Sequence, residues 1–197
     1  MPESQPPIDL AGASLAALEQ AIAGRTHPPV DRWNPARCGT SDMRIARDGT
    51  WYHQGQPIAR EAMVRLFASV LRREPDGRHV LVTPVEKLDI EVEATAFRAL
   101  TMTMEGEGRD RRIAFTLDSG DAVIAGPAHP LTVVDTPHGP SPRLAVRHGL
   151  EAELARPLYY ELAEIALAEA PANPPGTPPG IWSDDAFFAL DAETDAP

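Results

Sequence analysis

From Leu88 to Ala94 the chain alternates without a break: Leu88, Ile90, Val92 and Ala94 are apolar, and Asp89, Glu91 and Glu93 between them are acidic. A period of two sends the two sets to opposite faces, so this segment requires a sheet with one buried and one wet face. Antiparallel neighbours satisfy that requirement most simply. Flanking segments repeat it. Leu100, Met102 and Met104 alternate, as do Ile113, Phe115 and Leu117 beyond the charged turn GEGRDRR, and Val123-Ile124, Leu131 to Val133 and Leu144 to Val146 continue the run.

Upstream, Met43 and Ile45 alternate with Arg44 and Ala46 before Asp48-Gly49, and Thr50, Trp51 and Tyr52 follow, which predicts a hairpin. From Arg60 the spacing of Met63, Leu66, Phe67, Val70 and Leu71 predicts a helix, with Arg65, Arg72 and Arg73 facing water. Pro75-Asp76-Gly77 ends it, and Val80 and Val82 open a strand that stops at Thr83-Pro84. Ser14 caps a short helix with Leu15, Leu18 and Ile22 on one face and Gly24 as its stop. Arg156-Pro157 opens another, carrying Leu158, Leu162, Ile165 and Ala166. The fold class is α+β, with mainly antiparallel sheets and packed helices.

An internal echo points to a duplicated unit. A strand around Arg44 leads through Gly49 to Arg60, and a strand around Arg143 leads through Gly149 to Arg156. Met63, Leu66 and Leu71 stand at the offsets from Arg60 that Tyr159, Leu162 and Leu167 occupy from Arg156. Alanine- and leucine-rich helices also match by chance. The expected organisation is a lead-in and helix over 1–27, a first α/β unit over 28–85, a second unit over 86–170 and a tail over 171–197. Met1 to Ile8 is polar and proline-bearing, a loose lead-in. After Ala170 the stretch PANPPGTPPG suits a strap better than a helix or central strand. It delivers Ile181, Trp182, Phe187, Phe188 and Leu190, apolar groups expected to dock on the body; the alternative is a linear motif for a partner protein.

A length of 197 residues with 43% hydrophobic content supports a sizeable core. The net charge of -11 and pI near 4.9 argue against nucleic acid polymers and anionic membranes as general partners. A lone Cys38 excludes an intramolecular disulfide and suits a reducing compartment. With no export signal and no eighteen-residue apolar run, the expected location is the cytoplasm and no membrane span is expected.

At the Cys38-to-Val92 segment the chain resembles the bacterial domain of unknown function 1285 family. The matching residues include Trp33, Pro35, Cys38-Gly39, Asp42-Met43-Arg44-Ile45, Asp48-Gly49, Trp51, Arg60, Asp76-Gly77, Leu81-Val82-Thr83-Pro84 and Glu86-Lys87. Later, His129-Pro130-Leu131, Pro142, Leu150-Glu151-Ala152, Arg156, Tyr159-Tyr160 and Trp182-Ser183 to Phe187-Phe188 also look like that family. The resemblance implies two similar α/β units side by side, the second like a pleckstrin-homology domain. It also implies a ligand groove between them, suited to a nucleotide-like molecule in signalling, and no established reaction. Arg143 departs from the pattern, since an aromatic is expected after Pro142.

The residues read as a candidate site are Asp42, Arg44, Trp51, Arg60, Thr83, Glu86 and Lys87. Arg44 on a strand and Arg60 at a helix start present donors suited to phosphate or carboxylate. The plainer reading of Asp42 and Arg44 is a solvated salt bridge. Trp51 stacks on a base or covers the core, as aromatics on hairpins usually do. Thr83 precedes Glu86-Lys87, which form an exposed pair or a hydrogen-bonding patch at the mouth of the groove. Catalytic signals are weak. Cys38 has no histidine at a meaningful spacing, the six histidines never fall at i, i+4 on a helix, and Gly106-Glu107-Gly108 lacks the following helix of a phosphate loop. No cofactor and no metal are expected. The reading is a non-catalytic binder of a small anionic ligand in bacterial signal transduction, with a protein-interaction adaptor and a cryptic enzyme as alternatives.

Overall fold

The computed structural model describes residues 14–24 and 27–191. The loose lead-in expected at Met1 to Ile8 and the acidic end of the tail lie outside those residues. α1 (Leu15–Gly24) starts where Ser14 Oγ accepts the Ala17 N–H at 3.4 Å, and it lays Leu15 and Leu18 on Ala114, Ala122 and Ile124. The first unit then runs β1 (Cys38–Ile45), β2 (Trp51–His53), β3 (Gln56–Pro57), α2 (Glu61–Ser69), β4 (Leu71–Arg73), β5 (His79–Val82) and β6 (Lys87–Val92). The second runs β7 (Phe97–Glu105), β8 (Arg112–Leu117), β9 (Ala122–Ile124), β10 (Leu131–Thr136), β11 (Gly139–Arg147), β12 (Leu150–Leu154) and α3 (Arg156–Glu169).

Each unit contributes one six-stranded sheet, and the two sheets share one topology. Read from one edge, the first is β4-β5-β6-β1-β2-β3 and the second is β10-β11-β12-β7-β8-β9, the same order with every number raised by six. Each is two three-stranded antiparallel meanders joined through one parallel pair, β1 with β6 and β12 with β7. One of the two sheets curls into a half-barrel. The fold is thus α+β, mostly antiparallel, and consistent with a duplicated unit.

The duplication runs in a different register from the sequence echo. In sheet order β1 corresponds to β7, whereas the echo matched the Arg44 strand to β11, which corresponds to β5. The helices are not equivalent either: α2 connects the two meanders of its sheet, and α3 follows the last strand of its own. Leu71, matched to a helical leucine, begins β4 and pairs with Leu81. Helix α2 stops at Ser69 because the chain must reverse there to pair with β5. Arg72, expected in water, instead keeps a side chain only 13% exposed that reaches Glu74, Val30 O and Trp33 O.

Two further expectations change. β6 belongs to the first sheet, so the units divide near residue 95 and not at 85/86. Alternation locates a strand but carries no information about which sheet it joins. On β7 the register shifts between Ala99 and Thr101, and Leu100 is 49% exposed. A bulge of this kind turns one residue out of the alternation.

A contiguous core spans both units, from Met43, Ile45 and Trp51 through Phe97 and Phe115 to Leu158 and Leu162. Three contacts seat the units on each other. The Asp48-Gly49 turn lies on Arg98 and Asp118, with Arg98 Nη1 donating to Asp48 O at 2.9 Å. The His148-Gly149 turn lies on Arg73, whose N–H donates to His148 O at 3.2 Å. Between them, Arg147 Nη2 donates to Ala68 O at 3.1 Å, which ties β11 to the end of α2.

The tail forms a hairpin, β13 (Gly180–Ser183) and β14 (Ala186–Ala189), against the second unit. Ile181, Phe188 and Leu190 are buried, and Ser183 Oγ accepts the Ile113 N–H while donating to Ala125 O. Trp182 is half-buried, beneath the Arg109 guanidinium and beside Phe187.

Candidate functional site

Alternation along β1 splits the sequence-derived candidates between two faces of the first sheet. Met43 and Ile45 point toward α2 and are buried; Arg44 points to the opposite face. There Arg44 pairs with Glu93 and lies 4.5 Å above the Tyr52 ring. Glu93 sits below the ordinary carboxylate range, held first by the Arg47 N–H and then by Arg44. Asp42, at φ 50, accepts the Gln54 N–H on its carbonyl and shares a shallow polar hollow with Arg44, Arg78 and Asp89.

Arg60 is elsewhere. It is the exposed residue preceding α2, on the Met43 side of the sheet, and no described pocket is lined by both arginines. The expected Arg44–Arg60 anion pair is therefore not assembled, because strand alternation sends Arg44 away from the face on which α2 packs. Trp51 is 4% exposed and stacks on Phe67 at 6.4 Å, so it covers the core and meets no ligand. Thr83 Oγ1 accepts the Glu86 N–H at 3.2 Å and closes its own turn. Lys87 is drawn inward, its Nζ 3.1 Å from Glu74, which also holds Arg72. Burial alone would raise the Glu74 carboxyl, but hydrogen bonds from Arg72 and Lys87 outweigh it and hold the group below its ordinary value. That triad braces the first sheet. Thr83 and Glu86 border an apolar groove under α2 and not the boundary between units.

At the unit boundary lies a different cleft of about 620 Å³. The first unit supplies Arg47 and Asp48 from its hairpin turn; the second supplies Arg98, His138, Glu153, Arg156, Tyr159 and Tyr160. β7 begins just before Arg98, the β10–β11 turn carries His138, and α3 opens on Arg156, so three elements bring two guanidinium groups and an imidazole to one space. The two carboxylates are already occupied: Asp48 Oδ1 accepts the Thr50 N–H at 2.9 Å and Glu153 Oε1 accepts the Ser141 hydroxyl at 3.0 Å. Arg156 has no ion-pair partner among the described residues. Its place at the start of a 14-residue helix adds the positive end of the helix dipole. Tyr159 is anchored by its hydroxyl to Leu190 O at 3.0 Å, and Tyr160 beside it is 58% exposed.

Sequence reading did not bring Arg47, Arg98 and His138 together, since nothing local links a hairpin turn at 47 to a strand 51 residues on and a second turn 91 residues on. Arg156 and Tyr159-Tyr160 were visible as residues carrying the family resemblance. Among the described residues no cluster of three His, Cys, Asp or Glu side chains is placed to hold a metal, and no helix is long and apolar enough to cross a membrane. Cys38 is exposed.

Fold and cleft together define a two-unit α+β protein built on one repeated strand order, with a cationic cleft where the units meet. Residues 28–95 match the N-terminal domain, and residues 96–190 the C-terminal domain, of the family described as domain of unknown function DUF1285. The chain belongs to the DUF1285 family. The crystal structure of a DUF1285 family protein from Silicibacter pomeroyi DSS-3 is 41% identical, with 91% of this chain and 94% of that one covered and a TM-score of 0.77. A DUF1285 family protein from Shewanella baltica OS155 is 23% identical over 62% of this chain and 91% of that one, with a TM-score of 0.48. No curated protein matches the chain.

Proposed function

We propose that this protein is a non-catalytic binder of a small anionic ligand, held in the cleft between its two units and read out in bacterial signal transduction. The supporting observation is the cleft itself: in a chain of net charge -11, Arg47, Arg98 and Arg156 from both units border one space of about 620 Å³. That volume lies within the range of roughly 300–1,000 Å³ common to small-molecule sites. Guanidinium groups suit phosphate and carboxylate by geometry as well as charge. The exposed Tyr160 ring offers a face on which a base could stack, which favours a nucleotide-derived anion. A ligand bridging both units would report its presence through their relative stability. The adaptor alternative, gripping a partner through the tail, is less well supported because Ile181, Phe188 and Leu190 are already buried.

The test is a thermal-shift panel of nucleoside phosphates and phosphorylated metabolites, since a ligand that binds only the native state raises Tm by mass action. Arg156→Ala, at an exposed position, should leave the unliganded Tm nearly unchanged and lose about 1.5–3 kcal/mol of affinity for the ligand found. A panel without any shift, or a shift that Arg156→Ala leaves intact, overturns the proposal.

A further inference from the structure

We propose a second, separate binding site: the groove between α2 and the first sheet, which takes a single-chain aliphatic carboxylate. The groove measures about 500 Å³, with Met43, Leu81 and Leu88 on the sheet side and Met63, Leu66 and Phe67 on the helix side. It runs across β2, β1, β6 and β5, three strand spacings or roughly 14 Å. An apolar space extended across four strands suits a flexible chain better than a compact ring system. Two methionines in its walls can adjust to the chain's contour.

Helix α2 does not close the groove. Phe67 is stacked on Trp51 and Ala68 is 2% exposed, so the helix is held in place while Met63 stays 40% and Leu66 59% exposed. Two large apolar side chains exposed together at the lip of an apolar groove mark a binding surface.

Charge decides the head group. On the β2 side the groove is lined by His53, directly across the ladder from Met43, and the exposed Arg60 stands outside the lining itself, in sequence between the lining residues Ile58 and Met63. Arg60 has no ion-pair partner among the described residues. On the opposite side stand Thr83, whose hydroxyl is engaged in its own turn, and Glu86, 3.6 Å from Arg37. An anionic head is received beside His53 and Arg60, since the opposite side offers only the Arg37–Glu86 ion pair, with the chain lying between. The occupant is a free carboxylate in solution and not a bilayer, because the apolar surface is a concave slot.

The test uses the full chain and titrates hexanoate, octanoate, decanoate and dodecanoate by calorimetry. Affinity is expected to rise by up to about fourfold per methylene until the groove is full. Leu66→Glu, and independently Met63→Glu, should weaken decanoate more than tenfold with unchanged melting of the free protein. A His53→Ala/Arg60→Ala double variant should weaken decanoate but not 1-decanol. The proposal is overturned by affinity that does not follow chain length, by binding that survives both lip variants, or by no binding at all. Binding to phosphatidylglycerol vesicles without binding to decanoate overturns it too, in favour of a membrane-docking surface. The nucleoside-phosphate response of the inter-unit cleft should be unaffected by the lip variants, so the two sites stand or fall separately.

Discussion

Replacing Arg147 by methionine should weaken the seating of one unit on the other. The side chain is 12% exposed, donates to Asp121 Oδ2 at 3.2 Å and to Ala68 O at 3.1 Å, and lies 4.9 Å above Phe97. Burial pulls its pKa down to about 10, so the guanidinium is still charged at neutral pH. Methionine fills part of the volume but takes a charged partner from the Asp121 carboxylate, itself 9% exposed, and the guanidinium donor from the Ala68 carbonyl. Removing one partner of a buried pair costs about 3–5 kcal/mol. Asp121 retains the Ser119 hydroxyl at 2.9 Å and His27 at 3.8 Å, which favours the lower end, about 3 kcal/mol. For a chain of this size that is a fall in Tm of roughly 6–12 °C. Urea unfolding and thermal melting at pH 7 would measure it. Arg147→Met/Asp121→Asn removes both charges and should recover about half of the loss, because the buried carboxylate no longer carries a charge that Arg147 had balanced. A single variant within about 1 kcal/mol of the parent, or a double variant no better than the single one, would refute this reasoning.

Gly49→Ala should cost about 2 kcal/mol, since Gly49 has φ +87 and a Cβ there would lie 2.9 Å from Asp118 Oδ2 and 3.1 Å from Arg98 Cδ. Gly139→Ala, at φ +100 but in open space, should lose only the backbone part in the same urea titration. Ser183→Ala should cost about 2–3 kcal/mol, because it leaves the Ile113 N–H and the Ala125 carbonyl without their shared partner; an unchanged unfolding midpoint would show that the tail hairpin is held by packing alone. Crowding beneath the hairpin turn pushes Asp118 up to about 6, above its ordinary value, so the folded state disfavours the carboxylate. The resulting penalty is present above pH 6 and disappears as pH falls toward the unfolded value, so Asp118 makes acidification from pH 7 to 5 stabilising. Asp118 is an exposed residue, which screens the size of the effect but not its sign. Asp118→Asn should remove that contribution, and matching pH profiles of parent and variant would count against it.

Periodicity and turn chemistry alone determined that this chain makes antiparallel strands, a hairpin at Asp48-Gly49 and helices after Arg60 and Arg156, because spacing and positive-φ glycine are local properties. The chain's acidity was equally legible. What strand patterning could not decide was partnership. β6 alternates as well as any strand in the second unit, yet it pairs with β1, and the end of the α2 pattern became β4 because β5 lay beside it. The candidate site suffered for the same reason. Arg44 and Arg60 are 16 positions apart and looked convergent, but one residue of strand alternation put Arg44 against Glu93 on the far face. Arg47, Arg98 and Arg156 showed no common pattern along the chain, and they border one cleft because the first unit's turn rests on the second unit. Side-chain direction within an element is set by backbone geometry that sequence reveals, whereas the meeting of side chains from different elements depends on how faces bury against each other, and only the assembled core specifies that.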